Sequence, residues 1–264
     1  MIKEKDFLWE NLRTLPYFRA LLRAVESRFY QKINFIEPIL DIGCGDGHFA
    51  SATFKRKINV GFDPYFRNLV EAKQYQKYNL ILCAEGRKIP LPNNYFASAF
   101  SNSVLEHILE LDSVVHEIWR VLKPDALFVF CVPNMNFLSH LSIAKLFERI
   151  GMNTIAELYR HFFNRISRHY HNDSVEVWRN RLESAGFYLE DWWNYFSPSA
   201  LHVLEWGHYF GLPAWVLHKL IGRWVLAPFH WNLGIVEKII RKYYDSSPIH
   251  PFGAYTFYIA KKRI

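Results

Sequence analysis

The stretch that decides the fold is Ile39-Leu-Asp-Ile-Gly-Cys-Gly-Asp-Gly-His-Phe49. Its first, mostly apolar residues indicate a short buried strand, and the glycines at 43, 45 and 47 indicate a tight turn. Such a turn between a strand and a helix lets a ligand approach the backbone closely, and the N-terminus of the following helix favours negative charge. The stretch therefore predicts a ligand site at the carboxyl end of a first strand.

Strand and helix patterns alternate on either side of this motif. Alternation of this kind is typical of an α/β fold, a parallel sheet with helices on both faces. Helices are predicted at 46–56, 66–77, 111–122 and 174–185. Strands are predicted at 38–43, 57–63, 79–85, 96–101, 126–133, 187–196 and 254–260.

Three segments do not follow the alternation. Residues 5–31 carry an apolar stripe with helical spacing, which Pro16 is expected to divide into two helices. Residues 135–172 and 198–250 also indicate helices, and they hold much of the aromatic content of the chain. We expect both insertions to lie over one end of the sheet.

The composition excludes several classes of protein. With 264 residues, 50% hydrophobic and 22% charged, the chain can bury a sizeable core, which excludes wholesale disorder. Three cysteines are too few for a disulfide framework, and the N-terminal residues lack the apolar core of a signal peptide. These features favour a cytoplasmic protein. The net charge of +7 leaves phosphorylated substrates, membrane surfaces and nucleic acid open as partners.

Three acidic residues recur at intervals of 22 residues, each at or near the end of a predicted strand: Asp41, Asp63 and Glu85. On adjacent parallel strands these acids would form a row along one rim of the sheet. A row of carboxylates suits an elongated ligand that carries an amino group, a ribose diol and an adenine amine, and it repels a diphosphate. A dinucleotide dehydrogenase is the specific rival, but His48 takes the place of the third glycine in its fingerprint.

With these motifs the chain resembles the class I S-adenosylmethionine-dependent methyltransferases of the small-molecule, type 11-like kind. The resemblance covers residues 37–134 and recurs in Leu182-Glu-Ser-Ala-Gly-Phe and the final strand. It implies a Rossmann-like seven-stranded sheet, mostly parallel, with an antiparallel last strand. The five matching motifs are Ile39-Leu-Asp-Ile-Gly-Cys-Gly-Asp-Gly, Val60-Gly-Phe-Asp-Pro, Ala84-Glu-Gly-Arg-Lys-Ile-Pro-Leu, Asn102-Ser-Val-Leu-Glu-His-Ile and Glu117-Ile-Trp-Arg-Val-Leu-Lys-Pro.

The resemblance also assigns S-adenosylmethionine as the cofactor. By position, Asp41 would orient the methionine amino group, Asp63 would bind both ribose hydroxyls, and Glu85 would accept from the adenine amine. Backbone groups of the glycine turn and of the fourth strand's end would border the rest of the cofactor. The complete predicted set is Asp41, Gly43, Cys44, Gly45, Asp63, Pro64, Glu85, Gly86, Asn102 and Ser103.

Three positions depart from the family pattern. Ala97 stands where relatives often have Asp, and Asp125-Ala126 replaces a usual Gly-Gly pair. Glu85 replaces the commoner Asp but keeps its charge. None of these changes removes a cofactor contact, so the sequence favours an active enzyme over a catalytically dead relative.

The acceptor needs a general base only if it loses a proton that water cannot take. Candidate bases are His107, His169 and His171. The His169-Tyr-His171 pair has metal-ligand spacing, but no clear third ligand accompanies it in the sequence, so we predict no metal site. The alternative for Glu106-His107 is a pair that only packs at the start of a helix.

The sequence predicts one methyltransferase domain over 1–264. Its parts are an N-terminal helical lid at 1–34, a cofactor-binding core at 37–134, a cap insertion at 135–172, a helix and sixth strand at 173–197, an aromatic-rich helical insertion at 198–250 and a last strand at 254–264. The expected acceptor is a small molecule, either apolar (a quinone, lipid or polyketide) or a sugar. Two alternatives stay open: a non-enzymatic cofactor-binding regulator or scaffold, and a nucleic-acid methyltransferase, which the absence of an Asn/Asp-Pro-Pro-Tyr-like motif disfavours.

The insertion at 198–250 has two interpretations. Leu217, Leu220, Ile221, Trp224 and Val225 form one apolar stripe, and a second stripe begins at Ile235. These stripes indicate either a cap that packs on the core or a basic amphipathic surface that meets a membrane. The second interpretation would give the protein a peripheral membrane location.

Overall fold

The computed structural model describes residues 5–263, and its centre is one seven-stranded sheet. The spatial order of the strands is β3-β2-β1-β4-β5-β7-β6. β7 runs antiparallel to both of its neighbours, and the other pairs are parallel, which confirms the predicted fold class. The strands are β1 (Ile39–Ile42), β2 (Ile58–Asp63), β3 (Tyr78–Cys83), β4 (Phe96–Asn102), β5 (Leu122–Pro133), β6 (Phe187–Tyr195) and β7 (Tyr255–Lys262).

Twelve α-helices lie in the described part of the chain, with one 3-10 turn at Leu105–His107. Pro16 separates the first two helices, as predicted. Residues 1–4 of the predicted lid lie outside the described residues. Both insertions are helical, as predicted. The helices are α1 (Phe7–Leu12), α2 (Tyr17–Tyr30), α3 (His48–Thr53), α4 (Phe66–Gln74), α5 (Leu111–Val121), α6 (Asn136–Ser139), α7 (Ser142–Arg149), α8 (Asn153–Ser167), α9 (Val175–Ser184), α10 (Pro198–Phe210), α11 (Leu212–Ile221) and α12 (His230–Asp245).

The boundaries differ from the sequence prediction mainly at β5. The strand begins at Leu122 rather than at 126, because Phe96 of β4 pairs with Leu122 before a register shift. Residues 123–125, which lie between the predicted helix and the predicted strand, are therefore part of an irregular strand, and Asp125 has a positive φ of 62° there. Helix α3 is shorter than predicted and ends at Thr53.

Two apolar clusters hold the helices on the sheet, one on each face. On one face, α5 packs Val115 and Ile118 beside Phe128 and Phe130 of β5. On the other face, α2 buries Leu21 and other side chains against the sheet residues. The central strands β1, β4 and most of β5 are buried on both faces, as is usual in a parallel sheet, whereas the edge strands β3 and β6 are partly exposed.

The second insertion is only partly packed on this core. Leu233 and Ile240 of α12 are buried, but Ile235 of the same helix is 75% exposed. No residue of α11 is buried, and Leu220 is 77% exposed. The predicted stripe is divided: Leu220 and Ile221 are exposed, whereas Leu217, Trp224 and Val225 are half-buried, and the last two pack against the core. Both interpretations of this insertion stay predictions. Among residues 5–263, no helix combines the length and apolarity that crossing a membrane requires.

Candidate active site

A cavity of about 1460 Å³ lies at the carboxyl ends of β1, β2 and β4. Its walls come from the loops that follow these strands, from α2, and from α11 and the loop after it. The volume exceeds the range of about 300–1,000 Å³ that is usual for the site of one small ligand. The cavity can therefore hold two ligands side by side. All ten predicted cofactor residues border it: Asp41, Gly43, Cys44, Gly45, Asp63, Pro64, Glu85, Gly86, Asn102 and Ser103.

The glycine turn forms the floor of this cavity. Gly43 and Gly45 have φ values of +68° and +53°, a region that glycine adopts without strain. A Cβ atom on Gly43 would collide with Val104, whereas a Cβ atom on Gly45 would have no protein atom within 4 Å. Gly45 lines the cavity, so the absence of a side chain there keeps ligand space open.

Asp63, the last residue of β2, lies beside this turn and is 7% exposed. Its Oδ2 accepts a hydrogen bond of 3.1 Å from the Gly45 amide, and its Oδ1 accepts one of 2.9 Å from the Tyr65 amide. Burial raises the pKa of Asp63, and these two amides oppose that rise. The amides fix the carboxylate at the cavity wall, where its remaining lone pairs can accept from a diol.

Asp41 lies deeper, at 4% exposure, and its Oδ2 accepts a hydrogen bond of 2.6 Å from the Tyr78 hydroxyl. Burial raises the pKa of Asp41 to about 7, with a further contribution from the nearby Asp63. A positively charged ligand group would favour the ionised form of this carboxyl. Asp41 therefore suits an ammonium group such as that of a methionine moiety.

The three acidic residues Asp41, Asp63 and Glu85 do not lie at the same height along the strands. Asp41 pairs with Gly61 across the sheet, and Asp63 pairs with Cys83. The strands are therefore offset by 20 residues and not by the 22 that separate the acids, so each acid lies about 7 Å further along than the one before. Glu85 is outermost, its side chain is 61% exposed, and it bonds to Arg87 at 2.6 Å.

The end of β4 is held from behind by a buried glutamate of α2. Glu26 accepts hydrogen bonds from the Asn102 amide at 2.8 Å and the Ser103 hydroxyl at 3.1 Å. It also accepts from Arg23 at 2.8 Å and from the Tyr195 hydroxyl at 2.8 Å. The polar atoms of Asn102 and Ser103 are thus used within the protein, which leaves their backbone to border a ligand, as the resemblance implied.

The three candidate histidines lie in different surroundings. His107 lines the cavity, and its Nδ1 is 2.9 Å from the Arg168 carbonyl oxygen. Because a carbonyl oxygen only accepts, Nδ1 carries the proton and Nε2 keeps its lone pair. Burial lowers the pKa of His107, so the ring is neutral near pH 7. His107 thus has the properties of a general base.

The other two histidines lie outside the cavity lining. His169 packs against Phe137 with ring centroids 4.9 Å apart, and burial lowers its pKa to about 3. His171 bonds through Nε2 to the Ile108 carbonyl oxygen at 3.0 Å, and its Nδ1 is 3.3 Å from Asp173. These contacts hold the loop before α9. We therefore retain only His107 as the candidate base.

Glu106 completes a cluster that the sequence did not indicate. One ligand atom from each of Glu106, His107 and His169 lies within 4.8 Å of the others. Glu106 is 1% exposed, and within the described chain its Oε2 has no hydrogen-bond partner. Burial raises its pKa to about 8, which favours the protonated carboxyl. The absence of a metal from this site stays a prediction.

Replacing Glu106 with glutamine should change how stability depends on pH. The unfolded chain releases the Glu106 proton near pH ~4.3, whereas the folded chain retains it up to about pH 8. The unfolded state therefore binds fewer protons between these values, and the free energy of unfolding falls as pH rises. Denaturant titrations across this range should show a smaller fall in Glu106→Gln than in wild type.

The exposed Glu10 supplies the matched control for this experiment. Glu10→Gln should keep the pH dependence of the wild type. An identical pH dependence in Glu106→Gln and wild type would mean that the carboxyl is ionised in the folded protein.

Arg19 and Arg23 of α2 line the cavity but were not predicted from the sequence, because only the folded structure brings α2 to the site. Arg23 is held by Glu26 and Asn102. Arg19 lines the cavity with its guanidinium 5.5 Å from the Trp224 ring, and no carboxylate among residues 5–263 pairs with it. The spacing of Arg19 and Arg23 by four residues on a helix was the available signal.

Parts of the chain are similar in sequence to known methyltransferases. Residues 40–130 match a family described as a methyltransferase domain. A malonyl-(acyl-carrier protein) O-methyltransferase of Methylovorus is 26% identical over 140 residues, 47% of each chain. The mitochondrial ubiquinone biosynthesis O-methyltransferase of Bos taurus is 26% identical over 136 residues, 48% of this chain and 37% of that protein. The chain spans about half or less of these curated relatives.

Solved structures share the whole fold. An S-adenosylmethionine-dependent methyltransferase of Thermotoga maritima has a TM-score of 0.55 at 14% identity, covering 94% of this chain and 91% of that one. A phosphoethanolamine N-methyltransferase of Haemonchus contortus, solved with S-adenosylmethionine, has a TM-score of 0.55 at 16% identity, covering 95% and 54%. At these identities the likeness concerns the fold.

The residues of the cavity fit S-adenosylmethionine. Gly45 leaves open space on the floor, Asp63 presents acceptors for a diol, and Asp41 suits an ammonium group. The exposed Glu85 is free to turn from Arg87 towards an adenine amine. Residues 40–130 thus match a methyltransferase-domain family, and the chain as a whole has the fold of solved S-adenosylmethionine-dependent methyltransferases.

Proposed function

We propose that this protein transfers a methyl group from S-adenosylmethionine to a small-molecule acceptor. The observation that carries the proposal is the open space above Gly45, which lies beside the Asp63 carboxylate in a cavity large enough for two ligands. A binding protein would need only the cofactor half of that cavity. The second half, near α11, offers room for an acceptor.

The chain's own groups position the reactants. When bound, S-adenosylmethionine supplies an electrophilic methyl group on a positively charged sulfur. Asp63 and Asp41 hold and orient donors, and the backbone at Gly43 and Gly45 permits close approach. Because the leaving group is already activated, orientation and exclusion of water account for much of the acceleration.

His107 accepts the proton that the acceptor loses. Its Nδ1–H is fixed by the Arg168 carbonyl, so Nε2 is the only ring atom free to take a proton. Burial lowers the pKa of His107, which keeps this atom unprotonated at neutral pH. His107 lines the cavity, and its Nε2 lies 3.8 Å from the Glu106 Oε1 atom.

The cavity wall around Arg19 supports a finer proposal for the acceptor. Trp215 and Trp224 supply aromatic surface, and Arg19 supplies a cation that no carboxylate of the described chain pairs with. An acceptor with an apolar body and an acidic group would contact the tryptophan surface with its body and Arg19 with its acidic group. The curated relatives act, by their names, in malonyl-thioester and ubiquinone chemistry, which supports an acidic or quinone-like acceptor.

The direct test is turnover. The full chain is incubated with S-adenosylmethionine and a panel of fatty acids, phenolic acids, quinols, sugars and short nucleic acids, and S-adenosylhomocysteine release is measured. We expect release with an aromatic or aliphatic acid or a quinol. Tight cofactor binding without turnover on any acceptor would instead favour the scaffold alternative, and turnover only on nucleic acid would overturn the acceptor class.

Asp63→Ala tests the cofactor assignment. Loss of the carboxylate leaves ribose donors unpaired, at a cost of about 1.5–3 kcal/mol, or roughly tenfold or more in affinity. Calorimetry should show this loss for S-adenosylhomocysteine, and the wild type should show no comparable binding of NAD. Asp245→Ala, at the exposed end of α12, is the control. Unchanged affinity in folded Asp63→Ala would remove the basis for the proposed site.

A further inference from the structure

Helix α11 and the start of α12 expose several large apolar side chains. We call this surface the apolar ridge and define it by Leu212, Trp215, Val216, Leu220, Ile221 and Trp231, each at least 46% exposed. Leu220 and Trp231 are 77% and 78% exposed, so these large side chains contribute little to the packing of the core. Five of the six lie within the ten residues of α11, and a large exposed apolar patch marks an interaction site.

The charges around the apolar ridge identify its partner. Between Trp206 and Val236 the sequence has no acidic residue, while Lys219 and Arg223 are both exposed there. The ammonium of Lys219 lies 4.1 Å from the centre of the Trp215 ring. Tryptophan beside a basic side chain is typical of helices that lie in the headgroup region of a bilayer. A second copy of this chain would bring the same positive charges together.

The apolar ridge adjoins the active-site cavity, so a bilayer bound to the ridge would lie next to the cavity. Trp215 and Lys219 line the active-site cavity as well as the outer surface, and His218 and Trp224 stack at 4.1 Å on the cavity side. The ridge is therefore the outer side of the acceptor wall. An acceptor dissolved in a bilayer would reach the cavity without crossing water.

We propose that the apolar ridge docks on an anionic lipid bilayer and presents the cavity to acceptors held in that bilayer. The docking itself is independent of the proposed methyl transfer, and only the delivery of the acceptor rests on it. Vesicle binding and turnover are measured separately, so the failure of one is distinguishable from the failure of the other.

The test is co-sedimentation of the full chain with vesicles of phosphatidylcholine, with and without phosphatidylglycerol. We expect binding to the anionic vesicles that weakens at least about tenfold as salt rises above ~0.1 M, where the Debye length is about 10 Å. Leu220→Asp and the double variant Lys219→Glu, Arg223→Glu should each lose this binding. Circular dichroism confirms that both variants are folded.

The matched control is Lys57→Glu, Lys123→Glu, which makes the same charge change at the opposite, amino-terminal edge of the sheet. This control should still bind. Equal loss in the control would show that net charge alone drives binding and would overturn the docking surface. Absence of binding at low salt, or a dimer in analytical ultracentrifugation that Leu220→Asp dissociates, would also overturn it, the latter in favour of a second copy.

Discussion

Replacing Gly45 with valine should reduce S-adenosylmethionine affinity by about 100-fold, or about 2.8 kcal/mol, while the fold persists. The new Cβ atom would meet no protein atom within 4 Å and would fill the space that the cofactor requires. Gly43→Val is less informative, because its Cβ would collide with Val104 and disturb the protein itself. Calorimetry with S-adenosylhomocysteine measures the loss.

Gly151→Val is the matched control for this variant. Gly151 also has a positive φ, +78°, and a Cβ atom added there would also have no neighbour within 4 Å, but it lies between α7 and α8 and does not line the cavity. Both variants carry a similar backbone strain of about 1–3 kcal/mol. Only Gly45→Val should lose cofactor binding. Normal binding by both variants would mean that the glycine motif forms a turn and does not contact the cofactor.

His107→Gln should lower kcat by about 100-fold with an acceptor that must lose a proton, while cofactor affinity stays unchanged. Glutamine can still donate to the Arg168 carbonyl, but it provides no basic nitrogen. In the wild type the rate should fall as pH drops through the lowered pKa of His107, because the base becomes protonated. The variant should lack this acidic limb.

His171→Gln is the control, because His171 lies outside the cavity and should leave kcat and the pH profile unchanged. Adding a chelator distinguishes a role of His107 as general base from a role as metal ligand. If activity disappears with chelator and returns with a divalent cation, the cluster of Glu106, His107 and His169 holds an ion and His107 is not the base. An unchanged kcat in His107→Gln would leave proton removal to water.

The sequence predicted the parts of the site that lie close together along the chain. The glycine turn, Asp63 and the end of β4 each belong to a local motif in which strand, turn and helix follow directly. The oblique acidic row was not predictable, because the offset of 20 residues between strands depends on pairing that spacing alone does not reveal. The antiparallel last strand, by contrast, followed from the resemblance.

Long-range contacts account for what the sequence missed. Arg19, Arg23 and Glu26 reach the site only because α2 packs across the sheet. His169 meets Glu106 because the loop after α8 packs on the turn at Leu105–His107, where the Tyr170 amide donates to the Glu106 carbonyl oxygen. Helical periodicity identified the stripe of α11 but could not show which face it meets, since a buried stripe and an exposed one have the same pattern.

Helix α2, which belongs to the predicted N-terminal lid, is firmly packed on the sheet. Leu21, Ala24 and Glu26 are fully buried, and Glu26 accepts four hydrogen bonds, three of them from Asn102, Ser103 and Tyr195 on the sheet side. A mobile lid makes few contacts with the protein beneath it. Displacing α2 would expose both the hydrogen-bonded Glu26 network and the apolar face of the helix. A ligand that enters the cavity without displacing α2 must therefore pass beside this helix, and residues of α11 line the cavity there as well.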